Sequence, residues 1–228
     1  MNILITGAKG FVGRNLTENL KNIRDGKNRT RPNIQVGEIY EYDIDSAAEE
    51  LDEYCAKADF VFNLAGVNRP KDPAEFKAGN FGFASTLMET LKKHHNTCPV
   101  MLSSSIQATL AGRFGTSEYG LSKRAGEDLF FSYAEETGAK VLVYRFPNLV
   151  GKWAKPNYNS AVGTFCHNIA NDQPKTLVIP EMRGDSLEKK LCIRRFFQRI
   201  QRVMRPCTPF PKRRKVGPVQ CAENESGV

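Results

Sequence analysis

The stretch Asn2-Ile3-Leu4-Ile5-Thr6-Gly7-Ala8-Lys9-Gly10-Phe11-Val12-Gly13 decides the fold. Its first part is a short apolar run of strand composition. Its second part places glycines at 7, 10 and 13, and Phe11/Val12, Leu16, Leu20 and Ile23 then recur at helical spacing. A strand, a glycine turn and a helix start in that order aim backbone N–H groups and the positive helix end at one point. That arrangement suits a dinucleotide pyrophosphate. The expected anchors are Gly7, Lys9, Gly10, Phe11, Val12 and Gly13. The spacing is GxxGxxG rather than GxGxxG.

The same alternation continues outward. Strands are expected at Asn2–Thr6, Glu38–Tyr42, Asp59–Leu64, Pro99–Ser103 and Lys140–Phe146. Helices are expected at Gly10–Arg24, Ser46–Lys57, Pro73–His95 and Tyr119–Thr137. Strands separated by helices imply an α/β fold, a Rossmann-type doubly wound parallel sheet covered on both faces. Ligands of such sheets sit beyond the carboxyl ends of the strands. Lys21–Asn33 is polar, contains Gly26 and Pro32, and reads as a surface loop before the second strand.

Composition narrows the class. The chain has 228 residues, 40% of them hydrophobic, which is enough for a real core. No apolar run approaches the ~18 residues of a membrane span, and the first residues already read as a strand rather than a signal peptide. Six scattered cysteines without a CxxC pair suggest a reduced, cytoplasmic protein. Three histidines, His94, His95 and His167, are too few and too dispersed for a metal site, so no metal is expected. Residues 1–182 carry 21 basic and 21 acidic side chains, while residues 183–228 carry 12 and 4. The net charge of +8 therefore belongs to the tail and does not argue for nucleic-acid binding by the main domain.

Residues suited to chemistry fall at strand ends. Asp43 follows the second strand and could grip an adenosine ribose; Asp45 competes, and a plain helix-capping region before Ser46 is the bland alternative. An acid there favours NAD, while Lys27, Arg29 and Arg31 nearby leave NADP open. Leu64, Ala65 and Gly66 end the third strand, where small residues let a backbone approach a cofactor. Ser103-Ser104-Ser105 ends the fourth. Tyr119 and Lys123 follow, one helical turn apart on one face. A free phenol, with a pKa near ~10, is a poor acid or base at neutral pH. A neighbouring ammonium favours its phenolate, and a serine hydroxyl can hold a reacting oxygen. Ser105, Tyr119 and Lys123 are the candidate catalytic set, with Ser104 as the fallback; Tyr119 and Lys123 also count toward the cofactor site.

Gly7–Gly13, Ser105 and Tyr119-x-x-x-Lys123 together resemble the extended short-chain dehydrogenase/reductase family of sugar-nucleotide epimerases, dehydratases and reductases. Arg145-Phe146-Pro147-Asn148 resembles that family's RxxN segment, which implies that Asn148 contacts substrate. Asn80 resembles an asparagine that steadies the active site, and it is grouped with Asn148 on the substrate side. Leu64–Pro70, Leu102–Thr109, Gly151-Lys152-Trp153 and Lys155–Ser160 are similar to capsular-polysaccharide sugar-nucleotide reductases. That resemblance covers residues 1 to about 174. It implies reduction of a UDP-linked 4-keto-6-deoxy-N-acetylhexosamine with NAD or NADP, and a homodimer. A nucleotide-sugar 4-epimerase is the alternative enzyme, and a catalytically weak cofactor-binding relative the non-enzyme one.

The expected organisation is a dinucleotide-binding domain at 1–150, a partial substrate region at 151–180 and an atypical basic tail at 181–228. Three readings of the tail stay open. It could be aberrant sequence replacing a true C-terminal domain, an ordinary docked or disordered tail, or a membrane- or nucleic-acid-binding element. The last would use an amphipathic face (Ile193, Phe196, Phe197, Ile200, Val203, Met204) or Lys212–Lys215. An incomplete substrate domain implies that the chain binds cofactor better than it turns over sugar.

Overall fold

In the computed structural model, residues 1–28, 30, 33–67, 77–173, 176–177 and 220–221 are described. Met1–Ser160 forms one compact unit and Ala161–Val228 a second.

The first unit runs β1 (Ile3–Thr6), α1 (Phe11–Arg24), β2 (Ile39–Tyr42), α2 (Ala48–Lys57) and β3 (Phe60–Asn63). After a π-helical segment, Lys77–Gly82, come α3 (Phe83–Lys93), β4 (Val100–Ser105), α4 (Glu118–Thr137) and β5 (Val141–Phe146). The five strands form one parallel sheet in the order β2-β1-β3-β4-β5. The order of the strands reverses between β1 and β3, the switch point of the sheet, and ligands of such sheets bind beyond the carboxyl ends there.

The core explains why the strands are where the apolar runs are. Every residue of β1 is buried, as expected for a strand covered on both faces. Ile3 and Ile5 face α1 and pack with Ala8, Leu20 and the half-buried Leu16 and Ile23. Leu4 points the other way, into a larger cluster with Leu51 and Cys55 of α2, Leu87, Met88 and Leu91 of α3, and Phe130 and Tyr133 of α4. Cys55 and Cys98 are free thiols in that region, and burial pushes their pKa values up to about 12 and about 11.

All five expected strands and all four expected helices are present. The differences are local. The fourth strand reaches Ser105 rather than stopping at Ser103, because Ser103, Ser104 and Ser105 pair in register with Tyr144, Arg145 and Phe146. Residues 73–76 of the expected Pro73–His95 helix lie outside the described residues; the rest is π-helical over Lys77–Gly82 and α-helical from Phe83. His94 caps that helix and His95 follows with positive φ; the expected solvated end holds for the exposed His95, whereas His94 is half-buried with its Nε2 3.0 Å from Asp52.

The second unit contains α5 (Ala161–Ala170), with Phe165 buried and Cys166 half-buried, and two short parallel strands, β6 (Thr176–Leu177) and β7 (Gln220–Cys221). The expected amphipathic face at 193–204 and the basic run at 212–215 lie outside the described residues. So do Arg29, Arg31 and Asn68-Arg69-Pro70.

Candidate active site

The glycine turn is built from backbone packing. Gly7 has φ +70°, and a Cβ there would lie 2.7 Å from the Ala65 nitrogen. A Cβ at Gly13 would lie 2.1 Å from the Gly7 carbonyl oxygen. The turn can close only with hydrogen at both positions, and closing it presses the end of β1 against Leu64 and Ala65. Thr6 strengthens that junction: its hydroxyl donates to buried Asn63 (2.7 Å) and accepts from the Ala65 N–H (3.4 Å).

The N-terminus of α1 then stands open. Gly10 is its N-cap with no side-chain cap bond, and no acid occupies the first turn. An uncapped helix N-terminus is an anion site, where N–H groups and the helix dipole both favour negative charge. This cradle fits a dinucleotide pyrophosphate. Phe11 and Val12 are half-buried at its mouth, and Lys9 and Gly10 are exposed. Beside the turn lies a cavity of about 370 Å³ lined by Ala8, Lys9, Arg14, Thr17, Glu18, Glu41 and Trp153. The Thr17 hydroxyl is buried without a hydrogen-bond partner among the described residues.

Asp43 reaches the turn directly. One carboxylate oxygen accepts from the Lys9 N–H (2.7 Å), the other from the Ile44 N–H (2.8 Å). Asp45 pairs instead with the Lys9 ammonium, which raises the Lys9 pKa and lowers that of Asp45. A ribose hydroxyl at Asp43 would share its carboxylate with the loop backbone.

The second cluster is built from side chains. Ser105, the last residue of β4, accepts from the Gln107 N–H (3.2 Å) and caps a short 3₁₀ turn, Ile106–Thr109. Helix α4 begins hard against that turn. Its N-cap Ser117 accepts from Gly120 N–H (3.0 Å) and donates to the Gln107 side chain (2.8 Å). A Cβ at Gly120 would lie 2.6 Å from the Gln107 carbonyl oxygen. This close approach sets Tyr119 beside Ser105, whose hydroxyl favours the phenolate. Lys123 is buried with its ammonium 5.8 Å from the Tyr119 ring centroid and 3.2 Å from the Ser103 carbonyl oxygen.

Burial lowers the Lys123 pKa from 10.5 to about 8. It raises that of Tyr119, against the downward pull of the Ser105 hydroxyl. Burial is thus the larger influence on the phenol, with the Ser105 hydroxyl opposing it.

Asn80 sits in the π-helical segment and is buried. Its oxygen accepts from the Val67 N–H (2.9 Å), and its nitrogen donates to the Val67 carbonyl (3.2 Å) and the Ser122 hydroxyl (3.1 Å). Both amide hydrogens are committed to holding the loop after β3 against α4. A Cβ on Gly66 would fall 2.8 Å from the Asn80 oxygen and 3.0 Å from the Lys123 nitrogen, so this loop passes close to the lysine. Ser104 turns away from Ser105 and donates to Glu127 (2.5 Å), which leaves Ser105 as the hydroxyl beside the phenol. Asn148 is exposed in the loop after β5. Farther along, Asn15 donates to the Lys152 carbonyl (2.8 Å), fastening the Gly151–Trp153 segment to α1.

The sequence reading gave no site role to Thr6, Asn63, Gln107, Ser117 or Glu127, although Gln107 falls inside the Leu102–Thr109 motif and Glu127 lies one helical turn beyond Lys123.

A family profile for NAD dependent epimerase/dehydratases matches residues 3–185. The chain belongs to that family. It is 44% identical over 174 residues to a UDP-2-acetamido-2,6-beta-L-arabino-hexul-4-ose reductase from Pseudomonas aeruginosa, covering 76% of this chain and 42% of that protein. Its structure is similar to the capsular polysaccharide assembling protein CapF from Staphylococcus aureus, with a TM-score of 0.62 at 39% identity over 81% of this chain and 44% of that one. A UDP-glucuronic acid 4-epimerase from Bacillus cereus, solved with NAD, shares the fold at 20% identity, with a TM-score of 0.60 over 78% of this chain and 66% of that one. The chain spans less than half the length of the reductase and of CapF.

Proposed function

We propose that the chain is a NAD(P)-dependent oxidoreductase of nucleotide sugars, reducing the 4-keto group of a UDP-linked 4-keto-6-deoxy-N-acetylhexosamine for capsule or surface polysaccharide. The observation that carries this reading is the Ser105–Tyr119–Lys123 cluster, one loop away from the open α1 N-terminus. The 44% identity to a hexul-4-ose reductase supports the substrate class.

In this reading, the Gly7–Gly13 turn with Phe11 and Val12 holds the pyrophosphate, Asp43 the adenosine ribose, and Leu64–Gly66 lines the floor. A reduced nicotinamide, when bound there, supplies a hydride. Ser105 holds the sugar's carbonyl oxygen. Tyr119 donates a proton to that oxygen as negative charge develops on it. Lys123, largely charged at neutral pH, stabilises the phenolate left behind and holds the nicotinamide ribose. Asn80 steadies the loop that carries Gly66, and Asn148 contacts the sugar nucleotide. A homodimer and a cytoplasmic setting, where the buried Cys55 and half-buried Cys98 thiols stay reduced, complete the proposal.

Calorimetry with NADH and NADPH, beside loss of reduced-nicotinamide absorbance on adding the 4-keto sugar, tests it. Net cofactor consumption abolished in Tyr119→Phe supports a reductase. Sugar interconversion without net consumption points to the 4-epimerase. Binding without turnover leaves a cofactor-binding protein, and no cofactor binding at all removes the reading.

A further inference from the structure

Glu127 is a fully buried carboxylate that the proposed chemistry does not use. It accepts from the Ser104 hydroxyl at 2.5 Å, from Arg145 Nε at 2.8 Å and from Arg145 Nη2 at 2.6 Å. The three residues come from three elements: Ser104 from β4, Arg145 from β5 and Glu127 from α4. Ser104 and Arg145 are register partners across the two strands. Burial pushes the Glu127 carboxyl up, but the Arg145 and Ser104 hydrogen bonds outweigh it and hold the carboxyl below its ordinary value.

Such a pair is not needed for stability alone. Glu127 is taken wholly from water, which is costly, while Arg145 keeps 39% of its side chain exposed, and apolar side chains of similar volume often serve a buried site as well or better. What the pair adds is direction. An arginine fork and a carboxylate fix distance and rotation together, which apolar packing does not. The place where direction is added also matters. Ser104 directly precedes Ser105. Glu127 lies one turn beyond Lys123 on the same helix, and Lys123 itself bonds to the Ser103 carbonyl. Arg145 opens the segment that leads to Asn148. Helix α4 is thus pinned to the strand ends at two successive levels, immediately behind the reactive face.

We propose that Glu127 is a positioning residue. Its carboxylate, held by Arg145 and Ser104, sets the rotation of α4 against β4, and with it the contact between Tyr119 and Ser105 and the place of Lys123. The inference rests on the proposed function for its consequence in catalysis, but the positioning itself is measurable without turnover.

The experiment compares Glu127→Gln, Ser104→Ala and Arg145→Lys in the full chain. Two signals are read at a temperature where circular dichroism shows each variant folded. The first is the ζ-carbon resonance of Tyr119 in protein labelled with ¹³C-tyrosine, assigned by its loss in Tyr119→Phe and calibrated by its displacement in Ser105→Ala. The second is calorimetric affinity for NADH and NADPH. Glu127→Gln and Ser104→Ala are expected to move the resonance by at least half the Ser105→Ala displacement and to weaken cofactor binding by about tenfold. Arg145→Lys, which keeps the charge but loses the fork, is expected to move both in the same direction by a smaller amount. Ser104→Ala removes a single hydroxyl, so it keeps the test alive if Glu127→Gln fails to fold. Lower melting temperatures with an unmoved Tyr119 resonance would overturn the inference and leave the proposed function standing. A moved resonance in a chain that binds no cofactor would do the reverse.

Discussion

The two halves of the candidate site are made of different material. The half at β1 is backbone: Gly7 and Gly13 let the turn close on itself and on Ala65, and the helix end behind it is left uncapped. The half at β4 and α4 is side chain: a hydroxyl, a phenol and an ammonium brought together by a helix start packed against a 3₁₀ turn. Backbone sites tolerate change in side-chain chemistry but not in volume. Side-chain sites tolerate small volume changes but not the loss of one functional group. The difference teaches where each half is fragile.

The largest expected effect is on chemistry in the second half. Tyr119→Phe removes one oxygen and should lower turnover by about 10³-fold, within the range of general acid–base catalysis. Cofactor affinity measured by calorimetry should change less than threefold. Equal losses of binding and turnover would show that the halves are not separable.

Next comes volume in the first half. Gly13→Ala sets a methyl group where the structure leaves 2.1 Å to the Gly7 carbonyl. Overpacking of that kind should cost about 3 kcal/mol in denaturant unfolding, and cofactor binding should fall with it.

Lys123 gives an effect of similar size and opposite sign. Its folded pKa is about 8 against 10.5 unfolded, so between those values the unfolded chain holds more protons and stability rises with pH. The burial penalty is present below pH 8 and relieved above 10.5. Lys123→Met should therefore be more stable than the parent at pH 7 by up to about 3 kcal/mol. Thermal unfolding followed from pH 7 to 10.5 should show that gain fading. A gain independent of pH would mean that burial is not what depresses the lysine.

The smallest effect concerns the helix start within the second half. Ser117→Ala removes the cap of α4 and its bond to Gln107, and should cost about 1 kcal/mol in chemical denaturation.

The backbone half was the more legible in sequence, because its residues are contiguous and each glycine has a geometric reason. The sheet was legible for a related cause: a strand buried on both faces must be apolar throughout, so Ile3-Leu4-Ile5 announces itself. Ser105, Tyr119 and Lys123 were readable through a helical spacing and a strand end. The Glu127 cluster was not, because Ser104, Glu127 and Arg145 are spread over some forty residues and meet only once the sheet register is known. The burial of Tyr119 was not readable either, because desolvation, which raises its pKa, is a property of the packed molecule. The π-helical turn at Lys77–Gly82 left no periodic trace distinct from the α-helix that follows it.

The two thiols of the core turn the protein into its own clock. With pKa values near 12 and 11, Cys55 and Cys98 hold only about 10⁻⁵ and 10⁻⁴ of their population as thiolate at pH 7, and the thiolate is the form that alkylating reagents attack. Cys55 has no exposed surface at all. Its alkylation, read residue by residue in a mass spectrometer, therefore advances only when α2 lifts from the sheet. The rate measures how often that happens, and a nucleotide that binds the native state should slow it in proportion to occupancy.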